Sequence, residues 1–201
     1  DLEKTLSHIP EEEPKLIVTD GVFSMEGDIA KYPKIAELGE KYVAPVYLDE
    51  AHAIGVVGST GRGTPEHWRD QGVDIGPPEI TMCTFSKSFG SIGGFVAGEK
   101  EVMDYVQHHA RSLIFSASMA PPQVAAVLEA VRIIEEEPWR AIRMKEISQK
   151  MINGFRDLGF NVGVTETPII PLIIGDDTMT FAFWKAMFDM GVYTNPVISP
   201  A

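Results

Sequence analysis

Short apolar runs alternate with amphipathic segments along the chain, a pattern that predicts strands alternating with helices. Strands are expected at the runs 15–20, 46–49, 81–85 and 94–98. Helices are expected where apolar residues recur every three or four positions, over 33–42, 101–109, 121–136, 139–158 and 178–190. This alternation predicts an α/β fold, with a largely parallel sheet flanked by helices and covered on both faces.

The pattern also predicts where the chain divides. Pro138 ends the helix predicted over 121–136, and strand-like runs at 169–174 and 192–195 flank the last helix. We therefore predict a larger domain over 1–138 and the beginning of a small α/β domain over 139–201. The chain opens at Asp1 within a helical pattern, from which we expect a piece of a longer protein.

Charge and composition exclude several classes of protein. The 201 residues include 17 Lys and Arg against 29 Asp and Glu, a net charge of -12, so we expect no nucleic-acid partner. The single cysteine, Cys83, excludes an internal disulfide and a multi-cysteine zinc site. Neither a signal peptide nor an apolar run of about 20 residues occurs, so we expect a cytoplasmic protein without an integral membrane segment.

Polar side chains follow three of the predicted strands. The first strand is followed by Asp20 to Ser24, the second by Asp49 to His52, and the third by Thr84 to Lys87. Because the carboxyl ends of parallel strands meet at one edge of a sheet, we expect an acid, an imidazole, hydroxyls and an amine to share one crevice.

Each of these residues is compatible with two interpretations. Lys87 is either a surface lysine that follows a strand or an amine that forms a Schiff base with a carbonyl or with pyridoxal phosphate. Asp49 is either a helix N-cap or the partner of a protonated ring nitrogen. His52 is either a structural histidine or a group that moves protons.

Three other motifs in the sequence suggest different functions. Asp49–His52 spells the DEAH string of helicases, but the phosphate loop that a helicase requires does not occur in this chain. The run Gly58–Gly63 is compatible with a phosphate cradle or with a flexible loop. His108 and His109 are adjacent and do not share a helix face, so we expect no metal site.

The order and spacing of the motifs resemble those of the α-oxoamine synthases, which depend on pyridoxal 5'-phosphate (PLP) and have the fold type I of aspartate aminotransferase. The segments that carry this resemblance are 20–28, 49–55, 61–63, 84–87, 93–94 and 115–118. The resemblance implies that Lys87 is the Schiff-base lysine and that Asp49 faces the pyridine nitrogen. It also implies that His52 and Ser24 lie near the phenolic oxygen of the cofactor.

The resemblance further implies two phosphate ligands, Thr84 and a Ser116 supplied by the other subunit, and hence a homodimer with shared active sites. The reaction that the resemblance implies joins an amino acid to the acyl group of an acyl-CoA and releases CoA and CO2. Segments 167–171 and 191–200 look most like members that use L-serine and palmitoyl-CoA. Members that use glycine or alanine, and an aminotransferase of the same fold, are the alternatives. The ring-stacking residue and the arginine for the substrate carboxylate are expected outside this chain.

Overall fold

A four-stranded sheet forms the centre of the computed structural model, which describes residues 1–199. Its strands are β1 (Ile17–Asp20), β2 (Val46–Asp49), β3 (Ile80–Thr84) and β4 (Gly94–Gly98), side by side in that order. The first three strands run parallel, and β4 runs antiparallel to β3. The sheet is therefore largely parallel, as predicted. Pro200 and Ala201 lie outside the described residues, so the predicted segments 139–201 and 191–200 are described as far as Ser199.

Residues 1–199 also contain eight helices. They are α1 (Leu2–Leu6), α2 (Tyr32–Tyr42), α3 (Thr64–Asp70), α4 (Lys100–His109), α5 (Arg111–Ile114), α6 (Pro121–Glu136), α7 (Trp139–Asp157) and α8 (Asp177–Asp189). The five predicted helices all form, each within one residue of its expected bounds. The short helices α3 and α5 were not predicted, since neither spans two full turns of amphipathic pattern. No helix in this part of the chain is long and apolar enough to cross a membrane.

Two buried clusters fix the sheet and its neighbours. One joins α1 and α2 to β1 and β2 through the buried side chains of Leu6, Leu38 and Leu48 and their neighbours. The other joins the end of β3 to α6, with Cys83, Phe85, Phe89 and Val127 as its buried members. The second cluster anchors the segment that follows β3, which carries Lys87.

The expectation that both faces of the sheet are covered is wrong for the described residues. Val18 of β1 remains 65% exposed and Val96 of β4 40% exposed. The helices of residues 1–199 leave these apolar positions uncovered. Continuous apolar runs therefore formed strands, as predicted, but the packing that such runs usually indicate is incomplete in this part of the chain.

The two strand-like runs beyond α7 do not form strands within the described residues. The run 169–174 is extended but joins no ladder, and its backbone contact is a bond from Ile173 N to Asn161 O at 2.9 Å. The run 192–195 likewise pairs with no strand. A strand requires a neighbouring strand to accept its hydrogen bonds, and an apolar run alone does not supply one. The domain boundary predicted at 138/139 stays a prediction.

Candidate active site

The carboxyl ends of β1, β2 and β3 lie together and form what we call the carboxyl edge. Asp20 is the direct ladder partner of Asp49, and Asp49 is the partner of Met82. Thr84 ends β3 two residues beyond Met82. The three polar strand ends identified in the sequence therefore meet at one edge of the sheet, as expected for parallel strands.

Asp49 is held by the turn that follows β2. Its Oδ1 accepts a hydrogen bond from Ala51 N at 2.9 Å. The turn closes through Ala53 N, which donates to Glu50 O at 2.9 Å, and it does not continue into a helix. The N-cap interpretation of Asp49 is therefore excluded, and its carboxylate is a fixed, half-buried acceptor at the carboxyl edge.

His52, Asp20, Asp49 and Lys87 are close enough to act on one another's charge. Burial lowers the pKa of His52 below its ordinary value of 6.5, and the positive charge of Lys87 lowers this pKa further. The carboxylates of Asp20 and Asp49 act in the opposite direction on the same imidazole. Burial, followed by repulsion from Asp49, raises the pKa of Asp20. The result is one mixed-charge cluster at the carboxyl edge.

Residues 85–93, which we call the lysine loop, present Lys87 to solvent. The rings of Phe85 and Phe89 meet edge to face at 5.2 Å inside the second cluster and anchor the loop. Phe85 N donates to Gly93 O at 2.9 Å, and Ser91 N donates to Phe85 O at 2.7 Å. Lys87 is exposed within residues 1–199, and its role in a Schiff base stays a prediction.

Hydroxyl groups tie the lysine loop to the carboxyl edge. Thr84 Oγ1 donates to Gly93 O at 3.2 Å and lies 3.0 Å from Ser86 Oγ. Ser88 Oγ donates to Ile54 O at 2.6 Å, which links the loop to the turn after β2. Because Ser88 follows Lys87 and Ile54 lies two residues after His52, this bond ties the two backbone segments that carry the lysine and the imidazole.

Three amides of the glycine-rich segment 58–63 donate to carboxylates of the chain itself. Ser59 N donates to Asp70 Oδ2 at 2.7 Å, and the Thr60 and Arg62 amides donate to Glu66 Oε2 at 3.0 and 2.9 Å. Carboxylates of α3 therefore occupy the donors that a phosphate cradle would need. These bonds also make the segment an ordered turn rather than the flexible loop that was the alternative.

Ser24 lies in a turn that is fastened to a distant part of the chain. The turn is closed by the bridge between Val22 and Ile29, and the Ser24 side chain is exposed. Gly27 O accepts hydrogen bonds from Thr167 Oγ1 at 2.9 Å and from Thr165 Oγ1 at 3.2 Å. Both threonines are buried, so residues 165–167 hold the Ser24 turn in place.

Ser116 is not hydrogen-bonded to the other predicted site residues within residues 1–199. It is exposed just after α5. Three residues later, Met119 packs against the second cluster. The segment that carries Ser116 is therefore joined to the lysine loop through Met119, while Ser116 itself is exposed.

Sequence reasoning missed Glu50 and the Thr165–Thr167 pair. Glu50 is 1% exposed, which is rare for a carboxylate. Within the DEAH string, the sequence suggests chemical roles for Asp49 and His52 but none for Glu50. The two threonines contact Gly27, and their spacing contains no signal for a partner so far away in the sequence.

Comparison with known proteins identifies relatives along the whole chain. The family model "Aminotransferase class I and II" matches residues 1–201. A serine palmitoyltransferase of Bacteroides thetaiotaomicron is 47% identical over 202 residues, which cover 100% of this chain and 50% of that protein. An 8-amino-7-oxononanoate synthase of Thermoanaerobacter pseudethanolicus is 39% identical over 201 residues, again covering 100% and 50%.

Among solved structures, one of SPT with PLP superposes with a TM-score of 0.91 at 33% identity, covering 100% of this chain and 50% of that chain. The chain thus spans about half the length of the relatives that it matches. The strand order, the helices around the sheet and this superposition confirm the fold as the type I fold of PLP-dependent transferases. The chain belongs to the aminotransferase class I and II family, and its motifs and relatives together place it among the α-oxoamine synthases.

Proposed function

We propose that the full-length protein carrying this chain is a PLP-dependent acyltransferase that joins L-serine to palmitoyl-CoA. The reaction releases CoA and CO2 and gives 3-oxosphinganine, a precursor of sphingolipids. The observation that carries the proposal is the convergence of Asp49, His52 and Lys87 at the carboxyl edge. The 47% identity to a serine palmitoyltransferase supports the choice of substrates.

The chemistry of the donor set fits PLP. A half-buried carboxylate, Asp49, suits a protonated pyridine nitrogen, and the exposed amine of Lys87 suits a covalent bond to an aldehyde. The neighbouring hydroxyls of Thr84 and Ser86 suit a phosphate. When bound, PLP supplies an electron-poor ring that takes up negative charge from the α-carbon of the amino acid.

Each residue then has a role set by its chemistry. Asp49 would keep the ring nitrogen charged, and the amine of Lys87 would accept the α-proton of the amino acid. Burial and the charge of Lys87 lower the pKa of His52, so its imidazole is mostly neutral near pH 7 and can both accept and donate a hydrogen bond. We assign Ser24 to the phenolic oxygen side and Thr84 to the phosphate.

Assembly into a homodimer is part of the proposal, with Ser116 reaching the phosphate bound by the other subunit. Ser116 is exposed, which is consistent with this role. Phe115 beside it is 79% exposed, an apolar surface that a subunit interface would bury. A long-chain product would bring the cytoplasmic enzyme into peripheral contact with a membrane.

A sister synthase is the second candidate. The relative named 8-amino-7-oxononanoate synthase is 39% identical over the whole chain, which favours this alternative over glycine C-acetyltransferase or an aminotransferase. These enzymes would share Lys87 and Asp49 and differ in the amino acid or acyl group that they take. An aminotransferase would release no CoA.

Thiol release by the purified full-length protein separates these candidates. With PLP and palmitoyl-CoA present, we expect free CoA on addition of L-serine and none with glycine or L-alanine. Release with glycine or L-alanine instead would transfer the proposal to a sister synthase. We expect Lys87→Ala to abolish release and the yellow colour of the bound cofactor, while Lys100→Ala on α4, another exposed lysine, leaves both unchanged. Colour retained in Lys87→Ala would remove the proposed role of this lysine.

A further inference from the structure

Glu50 occupies a closed space directly behind the carboxyl edge. It follows Asp49, and successive side chains of an extended strand point to opposite sides of the sheet. Glu50 N donates to Met82 O at 2.7 Å, so the backbone of residue 50 continues the ladder with β3. The side chain is 1% exposed and therefore lies inside the protein while Asp49 serves the carboxyl edge.

Two glycines make room for the Glu50 carboxylate. A Cβ at Gly21 would lie 1.9 Å from Glu50 Oε1, and a Cβ at Gly63 would lie 1.8 Å from Glu50 Oε2. Neither distance is possible between real atoms, so any other residue at position 21 or 63 displaces the carboxylate. Gly21 also donates from its N to Asp49 O at 2.7 Å, and it directly follows Asp20.

The carboxylate lies where three segments of the chain meet. Its Oε2 accepts a hydrogen bond from Thr64 N, the first residue of α3, at 2.7 Å. Its Oε1 lies against Gly21 at the end of β1. Glu50 therefore connects the end of β1, the end of β2 and the beginning of α3 around Asp20 and Asp49.

This arrangement is not explained by stability alone. Glu50 Oε1 and Thr64 Oγ1 are both buried without a hydrogen-bond partner within residues 1–199, and both lie beside the position of a Gly21 Cβ. A buried and incompletely paired carboxylate costs free energy that an apolar side chain would avoid. What the carboxylate provides at this position is a fixed geometry for its neighbours.

We propose that Glu50 is a positioning residue that sets the orientation of Asp49 toward the cofactor ring by locking the ends of β1 and β2 to the beginning of α3. This role rests on the proposed function, because it presupposes that PLP binds at the carboxyl edge. Asp49 is affected through the backbone. Loss of the Glu50 carboxylate loosens Gly21, whose N–H holds Asp49 O, and loosens the turn whose Ala51 N–H holds Asp49 Oδ1.

Cofactor binding by the full-length protein tests this role without relying on turnover. The variants are Glu50→Gln, which keeps the shape and the acceptor for Thr64 N, and Glu50→Ala, which removes both. We expect Glu50→Gln to bind PLP within about threefold of wild type. We expect Glu50→Ala to bind at least about tenfold more weakly and to shift the pH midpoint of the cofactor absorbance. If Glu50→Ala does not fold, Glu50→Asp withdraws the carboxylate from Thr64 N and is expected to show the same two changes.

Gly21→Ala provides a steric version of the same test. It leaves Glu50 in the sequence but fills its space, whereas Gly154→Ala on α7 places a Cβ where nothing lies within 4 Å. We expect the first variant to shift the pH midpoint of the absorbance and the second to behave as wild type.

The outcomes separate the two proposals. Folded Glu50→Ala and Glu50→Asp proteins with wild-type affinity and pH midpoint would overturn the positioning role while leaving the proposed function intact. Equal damage in Glu50→Gln and Glu50→Ala would also overturn it, because shape and the bond to Thr64 would then not be the cause. A wild-type protein that fails to bind PLP would overturn the proposed function and this role with it.

Discussion

Asp20 and Asp49 are direct partners in the parallel ladder of β1 and β2, so two carboxylates end neighbouring strands at the same edge. The electrostatic consequence is visible in Asp20, whose pKa is raised by burial and by the charge of Asp49. His52 and Lys87 act on the same pair from the following turn and loop. The cluster thus contains two negative groups, one amine and one imidazole, and each should respond when another is removed.

The pKa of His52 should report this coupling directly. Lys87→Ala removes a positive neighbour and should raise the pKa of His52, whereas Asp20→Asn removes a negative neighbour and should lower it. The measurement is an NMR titration of the imidazole Cε1–H resonance in the cofactor-free full-length protein, assigned with His52→Gln. Lys100→Ala is the control and should leave the titration unchanged. Identical His52 curves in all variants would show that these groups do not share a site.

Asp49→Asn should reduce turnover far more than stability. Asparagine keeps the size of the side chain and an oxygen for the Ala51 N–H, but it cannot keep a ring nitrogen protonated. We expect kcat to fall about 100- to 1000-fold, equivalent to roughly 3–4 kcal/mol, with little change in melting temperature. Asp157→Asn on the exposed surface of α7 is the matched control. A near-wild-type kcat in Asp49→Asn would contradict the assigned role.

The carboxyl edge could be predicted from the sequence because its signals are local. An apolar run that ends in Asp49 or Thr84 indicates both the strand and the position of its polar end. The sequence also permits a prediction of the antiparallel direction of β4, because residues 85–93 are too few for a crossover between parallel strands.

The remaining features depend on contacts between distant segments. The burial of Glu50 is possible only because Gly21 and Gly63 lie on either side of it, and no local pattern connects these three positions. The run 169–174 has the composition of a strand, but whether it forms one depends on a neighbouring strand. Exposure of Lys87 likewise depends on which segments pack over the lysine loop.

The Ser24 turn should become less stable when its hydrogen bond to Thr167 is removed. Thr167→Val preserves shape but deletes the hydroxyl that donates to Gly27 O, leaving this buried carbonyl with fewer partners. We expect a loss of about 1–2 kcal/mol in the free energy of unfolding and weaker PLP binding. Thr178→Val on the exposed first turn of α8 is the control. Unchanged thermal unfolding and PLP affinity would show that the contact does not hold the turn.

Ser116→Ala should weaken PLP binding by roughly 1–3 kcal/mol, as for loss of a hydrogen bond to a charged group. If the serine acts across a subunit interface, mixing Ser116→Ala with Lys87→Ala should restore one complete site in each heterodimer that forms. Titration of PLP into the mixture, followed by absorbance, measures this recovery. Ser118→Ala, two residues further along the same exposed segment, is the comparison variant. Wild-type affinity in Ser116→Ala would remove this residue from the site.

The stability of the protein should carry a pH dependence that originates at Glu50. Burial raises the pKa of Glu50 from its ordinary 4.5 to about 7. Between these values the folded protein retains a proton that the unfolded chain has released, so the free energy of unfolding falls as the pH rises through this window. The fall attributable to Glu50 is at most roughly 3 kcal/mol and ends above the folded-state pKa.

Glu50→Gln cannot titrate, so its stability relative to wild type should increase between about pH 5 and about pH 8. Thermal unfolding of the cofactor-free proteins measures this difference, and Glu146→Gln on the surface of α7 should show a constant difference across the same range. A constant difference for Glu50→Gln as well would mean that Glu50 is ionised throughout this pH range. The folded protein would then stabilise the buried charge even though Glu50 Oε1 has no hydrogen-bond partner within residues 1–199.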